Sequence, residues 1–182
     1  MSIDEAIEAP LSPARPRVLD RLAGRAPAPP PPRTAAHSAG AVTAVLLALV
    51  AVGSLLHEPV LIPPLAASAA IIHGAPGQPL AQPRSVVVGH LLCAGVGYGV
   101  LGLAGGSPWA AAVAAGIGLA VMTVARTPHS PACATAVVIV LHAPAPWTFV
   151  PLLLGSAVLL VATGWAASRV RPGSPRYPAY WW

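Results

Sequence analysis

The sequence predicts an all-α membrane protein: about six hydrophobic segments forming two inverted three-segment repeats, of which segments two and five are short, proline-interrupted half-helices. Three observations lead there. Hydrophobic residues make up 55% of the 182-residue chain and charged residues only 8%, against about a quarter charged in a soluble domain. Between Thr34 and Ser168 the only charged side chains are Glu58, Arg84 and Arg126. Two of the apolar segments are also broken by proline at similar places. A soluble helix needs a polar face, whereas a spanning one needs about 20 mostly apolar residues in succession.

Residues 1–35 make the first domain. Pro10, Pro13, Pro16, Pro27 and the run Pro29 to Pro32 alternate with Arg15, Arg17, Arg21, Arg25 and Arg33. A segment so poor in apolar bulk reads as a disordered, polyproline-biased tail. The transmembrane domain, 36–168, begins with a proline-free span from about Ala36 to Leu56. Segment two, about Pro59 to Pro76, is interrupted by Pro63 and Pro64. Segment three covers about Ser85 to Leu103 and segment four about Pro108 to Ala125. Segment five, about Pro128 to Pro144, carries Pro131 near its start. Segment six, about Thr148 to Ser168, is continuous. The tail at 169–182 ends with Tyr177, Tyr180, Trp181 and Trp182, which suit an interfacial aromatic anchor.

The net charge of +5 comes from ten arginines and no lysine. These sit in the tails and short loops, as orientation in a membrane requires, and no basic stripe interleaved with aromatics points to nucleic acid. Cys93 and Cys133 lie inside apolar stretches without CxxC spacing, so they read as small packing residues rather than a disulfide or zinc site. No A-x-A site follows a short apolar core, so the first span is expected to be retained.

Segments two and five resemble each other: Pro64 to Ile72 aligns without gaps on Pro131 to Ile139, with Pro, Ala, a hydroxyl residue, Ala and Ile in register. Each lies between uninterrupted spans, giving two halves of three. With six crossings and both termini cytoplasmic, every arginine is inside and Glu58 is outside. Odd-numbered halves start on opposite faces, so the repeats are inverted. That is a recurrent transporter architecture.

Proline suits a helix's first turn and disfavours helix before it. The spacing therefore predicts extended chain from Pro59 to Pro63 and a helix from about Pro64 to His73. It likewise predicts extended chain from Thr127 to Ser130 and a helix from about Pro131 to His142. Helices of about 12 residues rise about 18 Å, so both starts fall near mid-membrane, facing one another. Unpaired N–H groups and the positive dipole end make such starts an anion site. The candidate binding residues are Ala66, Ala67 and Ser68 in one half and Cys133, Ala134 and Thr135 in the other. The same small residues equally serve close helix packing.

His90 and His129 lie within the spans, where an ionisable group is costly and points to gating or a proton relay, or to satisfied packing. His37, His57, His73 and His142 sit near span ends. Arg84 and Arg126 occupy matching inner positions; topology explains both, and they also suit an anion entrance. Gly95, Gly97, Gly99, Gly102, Gly116 and Gly118 offer close-approach faces. No metal, cofactor or catalytic motif is legible, so an enzyme is not expected. A non-transporting scaffold, using the glycine faces and basic tail to assemble partners, is the alternative to transport.

The stretch Arg126-Thr127-Pro128-His129-Ser130-Pro131-Ala132-Cys133-Ala134-Thr135-Ala136 resembles the signature of the HPP family of integral membrane proteins. In that signature His-Pro-Pro precedes Ala-Gly-Ala-Thr-Ala. The block Pro64 to Ala69, then Gln82-Pro83-Arg84 and Gly89-His90, is similar to the family's other recurrent pieces, in the same order. Ser130 replaces the first proline and Cys133 the glycine. The resemblance implies a four-span description and anion transport, plant members being associated with nitrite movement across the plastid envelope. A nitrite-class anion and the bilayer are thus expected partners, and a homo-oligomer is expected because one chain is small for a transporter, in a bacterial cytoplasmic membrane to judge by the Arg- and Ala-rich composition.

Overall fold

The computed structural model describes residues 27–170 and 176–181. Most of the leader read as a disordered tail lies outside them, as do 171–175 and Trp182. Pro27 to Pro31 carry no helix or strand. Among the described residues the helices are α1 (Pro32–Leu56), α2 (Pro63–Gly74), α3 (Pro83–Ala104), α4 (Pro108–Val124), α5 (Pro131–His142) and α6 (Pro146–Val170). A short 3-10 turn, Pro79–Ala81, precedes α3. All six helices begin on proline, whose fixed φ matches the helix and whose missing N–H would have had no partner there. Proline thus punctuates the whole bundle and not only its two short helices.

The chain is an integral membrane protein, folded as a six-helix bundle. α1, α3 and α6 have 25, 22 and 25 residues, long and apolar enough to cross a bilayer. α4 has 17 residues, while α2 and α5 have 12 each, a rise of about 18 Å for the short pair. Pro151 lies inside α6, in its second turn, without ending the helix.

The expected extended entry to α2 is present, with Ile62 in the β region before Pro63. The entry to α5 differs: Ser130 is αR, not extended. That conformation lets the carbonyls of His129 and Ser130 accept from Ala132 N–H and Cys133 N–H, at 2.9 and 3.1 Å. The local hydrogen bonds outweigh the bias against αR before proline.

The first helices of the two halves end alike. His57 and Arg126 both take positive φ, and Glu58 and Thr127 donate back to Gly53 and Met122, five residues earlier. These bonds satisfy carbonyls that a helix end would otherwise leave unpaired. Cross-links between helix ends set α3 antiparallel to α4 and α6: Arg84 at the start of α3 donates to Ala125 O after α4, and Tyr98 near the end of α3 donates to Pro144 O before α6.

The tightest packing joins α3, α4 and α5, with α3 also against α6. One buried cluster contains Leu49, Leu65, Ile72, Leu153 and Leu160; another contains Cys93, Ala114, Met122, Ala136 and Val140. Of the six glycines read as close-approach faces, only Gly97 and Gly118 serve that role, and the other four have open space around them. A Cβ on Gly97 would lie 3.0 Å from Ala136 Cα and 3.1 Å from its carbonyl oxygen. α5 reaches α3 by backbone contact there.

Candidate functional site

The bundle buries polar groups at one place above all. Ser68 on α2, His90 on α3 and Thr135 on α5 have no exposure, and His129, just before α5, has 1%. Their positions follow from the helix starts. Pro63 sets the phase of α2 so that Ser68 faces inward with Leu65 and Ile72. Gly89 leaves room for His129, since a Cβ there would meet His129 Cβ at 3.0 Å.

The side chains form one hydrogen-bonded chain. Thr135 Oγ1 lies 2.8 Å from His90 Nδ1, His90 Nε2 lies 2.9 Å from Ser68 Oγ, and Ser68 Oγ lies 2.7 Å from His129 Nε2. His129 Nδ1 then reaches Leu80 O at 2.7 Å. The two imidazoles meet edge to face, with centroids 5.0 Å apart. A carbonyl can only accept, so His129 Nδ1 carries a hydrogen. Unsatisfied buried polar groups are costly, and this chain leaves none of its members alone.

The turn that supplies Leu80 O is itself clamped. Gln82, fully buried, donates from Nε2 to Pro76 O and Gln78 O, both at 2.9 Å. Its Oε1 accepts from Ala179 N–H at 2.9 Å and Tyr180 N–H at 3.4 Å. Tyr177 donates to Ala81 O at 2.8 Å. The C-terminal tail therefore holds the turn that orients His129. Burial pushes the Tyr177 phenol above its ordinary range. Of the residues expected to form an aromatic anchor, Tyr180 and Trp181 are exposed whereas Tyr177 is interior; Trp182 is outside the described residues.

Of the residues read as a site, Ser68, Thr135, His90 and His129 come together. Ala66 and Cys133 are half-buried, and Ala67 and Ala134 are exposed on the outer faces of their helices. Ala66 N–H donates to Ile62 O at 3.3 Å and Cys133 N–H to Ser130 O, so these first-turn donors are engaged within the chain. The sixth residue of α2, not its first turn, lies beside the start of α5. Arg84 bonds Ala125 O at 3.2 Å, beside the exposed Arg126. The roles of Leu80 O, Gln82 and Tyr177 were missed: backbone acceptors carry no sequence signal. Gln82 stood out only as part of Gln82-Pro83-Arg84, a piece similar to the family's, with no role attached to its side chain.

Cavities flank α2. One of about 180 Å³ is bounded by Glu58, Ile62, Leu65 and Phe149, and another of about 160 Å³ by His37, Ile72, His73 and Tyr177. Among the described residues, no three His, Cys, Asp or Glu side chains gather as a metal would need.

Fold and site together define a multi-spanning membrane protein with a buried, hydrogen-bonded histidine pair between two half-helices. The chain belongs to the HPP family: its match to the family's transmembrane region, described as "HPP, transmembrane region", covers residues 27–178. Two transmembrane proteins of Dictyostelium discoideum are similar to it. One is 37% identical over 133 residues, covering 68% of this chain and 46% of the relative; the other is 34% identical over 130 residues, covering 64% and 40%. The chain thus spans less than half the length of either relative. No solved structure matches it significantly.

Proposed function

We propose that this chain moves a small monovalent inorganic anion, nitrite being the leading candidate, across a bacterial cytoplasmic membrane together with a proton. The observation that carries the reading is the His90–Ser68–His129 bridge, buried where no carboxylate lies near it. Glu58 is the only acidic side chain among the described residues, and it is exposed beyond the far end of α1. A proton added to the pair creates a cation beside the start of α5, where the helix dipole is also positive. Burying that charge alone is costly. An anion brings the balancing charge, so the geometry favours loading the two together. Transport by HPP relatives, implied by the sequence resemblance, agrees in class.

The two cavities fit this role. One reaches Leu65, a turn before Ser68, and the other Ile72 and His73, a turn after it. Movement of α2 would expose Ser68, and with it the half-buried Ala66, to either side. In this reading Ser68 and Thr135 exchange their histidine partners for the anion as the chain opens, with Cys133 beside them and Ala67 and Ala134 keeping the half-helices slim. Arg84 and Arg126 collect anions at the inner entrance, and both termini are cytoplasmic.

Packing supports the inverted repeat. Ile72 of α2 seats against Gly164 of α6, and Ile139 of α5 against Gly97 of α3. Ser68 and Thr135 bond the two nitrogens of one imidazole. Each pair, including the glycines, is related by the gapless register that aligns Pro64 with Pro131. An axis in the membrane plane exchanging α2 with α5 and α3 with α6 accounts for both notches.

Proteoliposomes holding the purified chain test the proposal. Nitrite uptake that rises with an inward proton gradient is the expected result. Uptake no faster than into empty vesicles, for nitrite and nitrate and with or without the gradient, would overturn it. Replacing Ser68 and Thr135 together by Ala separates transport from the scaffold alternative, which should tolerate that change.

A further inference from the structure

We infer that Ser68 is a two-position hydroxyl switch that makes His129, and not His90, the residue that takes up the proton; this rests on the proton-coupled reading above. The inference follows from counting hydrogens along the chain. With both imidazoles neutral, His129 Nδ1–H donates to Leu80 O, leaving Nε2 as an acceptor. Ser68 has one hydroxyl hydrogen and gives it to that Nε2. His90 Nε2–H then donates to Ser68 Oγ, and Thr135 Oγ1–H donates to His90 Nδ1. All four bonds point one way, from Thr135 to Leu80, and the histidines hold opposite tautomers.

A second acceptor stands by Ser68. Pro64 O lies 2.9 Å from Ser68 Oγ, one turn back along α2. When His129 Nε2 gains a proton it becomes a donor to Ser68 Oγ, and the Ser68 hydrogen rotates to Pro64 O. His90 is unchanged. One proton is added, no covalent bond between heavy atoms is made or broken, and every polar atom keeps a partner. Loading His90 instead would make Nδ1 donate to Thr135 Oγ1, whose own hydrogen then has no acceptor: among the described residues Thr135 Oγ1 has no partner but His90. The spare carbonyl thus selects His129.

The titratable and charged groups around His129 are few. His90 and Cys93 lie on α3, Cys133 on α5 and His73 at the end of α2; Arg84 is held at Ala125 O, Arg126 is exposed, and Tyr177 is bonded to Ala81 O. None is a carboxylate.

The test is nitrogen-15 NMR of histidine-labelled full-length chain in lipid nanodiscs, with the resonances assigned by replacing His90 and His129 singly with Gln. The expected result at high pH is an Nδ1–H tautomer for His129 and an Nε2–H tautomer for His90. On acidification His129 gains its second N–H before His90 does, and Thr135→Val releases the His90 tautomer while leaving His129 in its own. The same tautomer at both rings, or His90 protonating first, would overturn the inference. Pairwise labelling of Gly89–His90 and Pro128–His129, each a unique residue pair in the chain, assigns both rings in the wild type, so the spectra decide this even if a variant fails to fold. Because no transport is measured, opposite tautomers with no nitrite uptake would defeat the transport reading alone, and uptake with equal tautomers would defeat the switch alone.

Discussion

The half-helices α2 and α5 are equal in length, begin on proline and carry a hydroxyl residue and an isoleucine in the same register, yet they are held differently. α5 is wedged by backbone: the space Gly97 leaves on α3 is filled by Ala136 Cα and its carbonyl oxygen. α2 is held by side chains: the space Gly164 leaves on α6 is filled by the Cγ2 methyl of Ile72 and the ring of Tyr177. Backbone cannot yield without moving a helix, and β-branched Ile72 is stiff at χ1 in a helix, so the Gly164 notch gives only if α2 or the Tyr177 ring shifts. α5 is therefore fitted to α3 through backbone, and α2 to α6 through side chains.

Changes at the two notches break this comparison most directly. Gly97→Val should cost about 3 kcal/mol or more through overpacking, seen as lost folded yield and a large fall in thermal midpoint in detergent. Gly164→Val should cost at least as much, about 3 kcal/mol or more, because its Cβ would overlap the Cγ2 methyl of buried Ile72 and crowd the Tyr177 ring; a clearly smaller loss would show that α2 yields where α5 cannot. Next in size is the hydroxyl pair. Ser68→Ala leaves two imidazole nitrogens without their bridge and should cost about 1–3 kcal/mol, more than Thr135→Val, which strands one. The ratio of the two midpoint shifts measures how unequal the half-helices are.

The smallest effects belong to the tail. Tyr177→Phe removes the bond to Ala81 O while keeping the ring on Gly164, and should cost about 1 kcal/mol. Because burial raises the Tyr177 phenol, the native state keeps its proton where the unfolded chain loses it. Its contribution is thus complete below about pH 10 and declines as pH rises above it. A thermal midpoint that falls less steeply above that pH in Tyr177→Phe than in wild type checks the sign.

Much of the fold is legible because bilayer burial and proline act locally. Long apolar runs without charge define α1, α3 and α6, and a missing N–H fixes where α2 and α5 begin, whatever surrounds them. The site is legible in part. Histidine inside an apolar span is conspicuous, so His90 and His129 stand out, and a hydroxyl shared by two aligned segments marks Ser68 and Thr135. Ser130 shows the limit: proline's preference for an extended predecessor gives way to two bonds with carbonyls that only the folded turn aligns.

The sequence by itself determined that this chain lives in a membrane, where its helices start to within a few residues, and which four polar side chains needed an explanation. Those properties depend on composition and on the chemistry of single residues. The tertiary structure alone decided that the four meet, that Leu80 O and Pro64 O join them, and that a tail 96 positions away from Ala81 clamps the turn beside His129. Backbone carbonyls are the same in every residue. Only the packing of six helices specifies which of them a histidine or a hydroxyl will find.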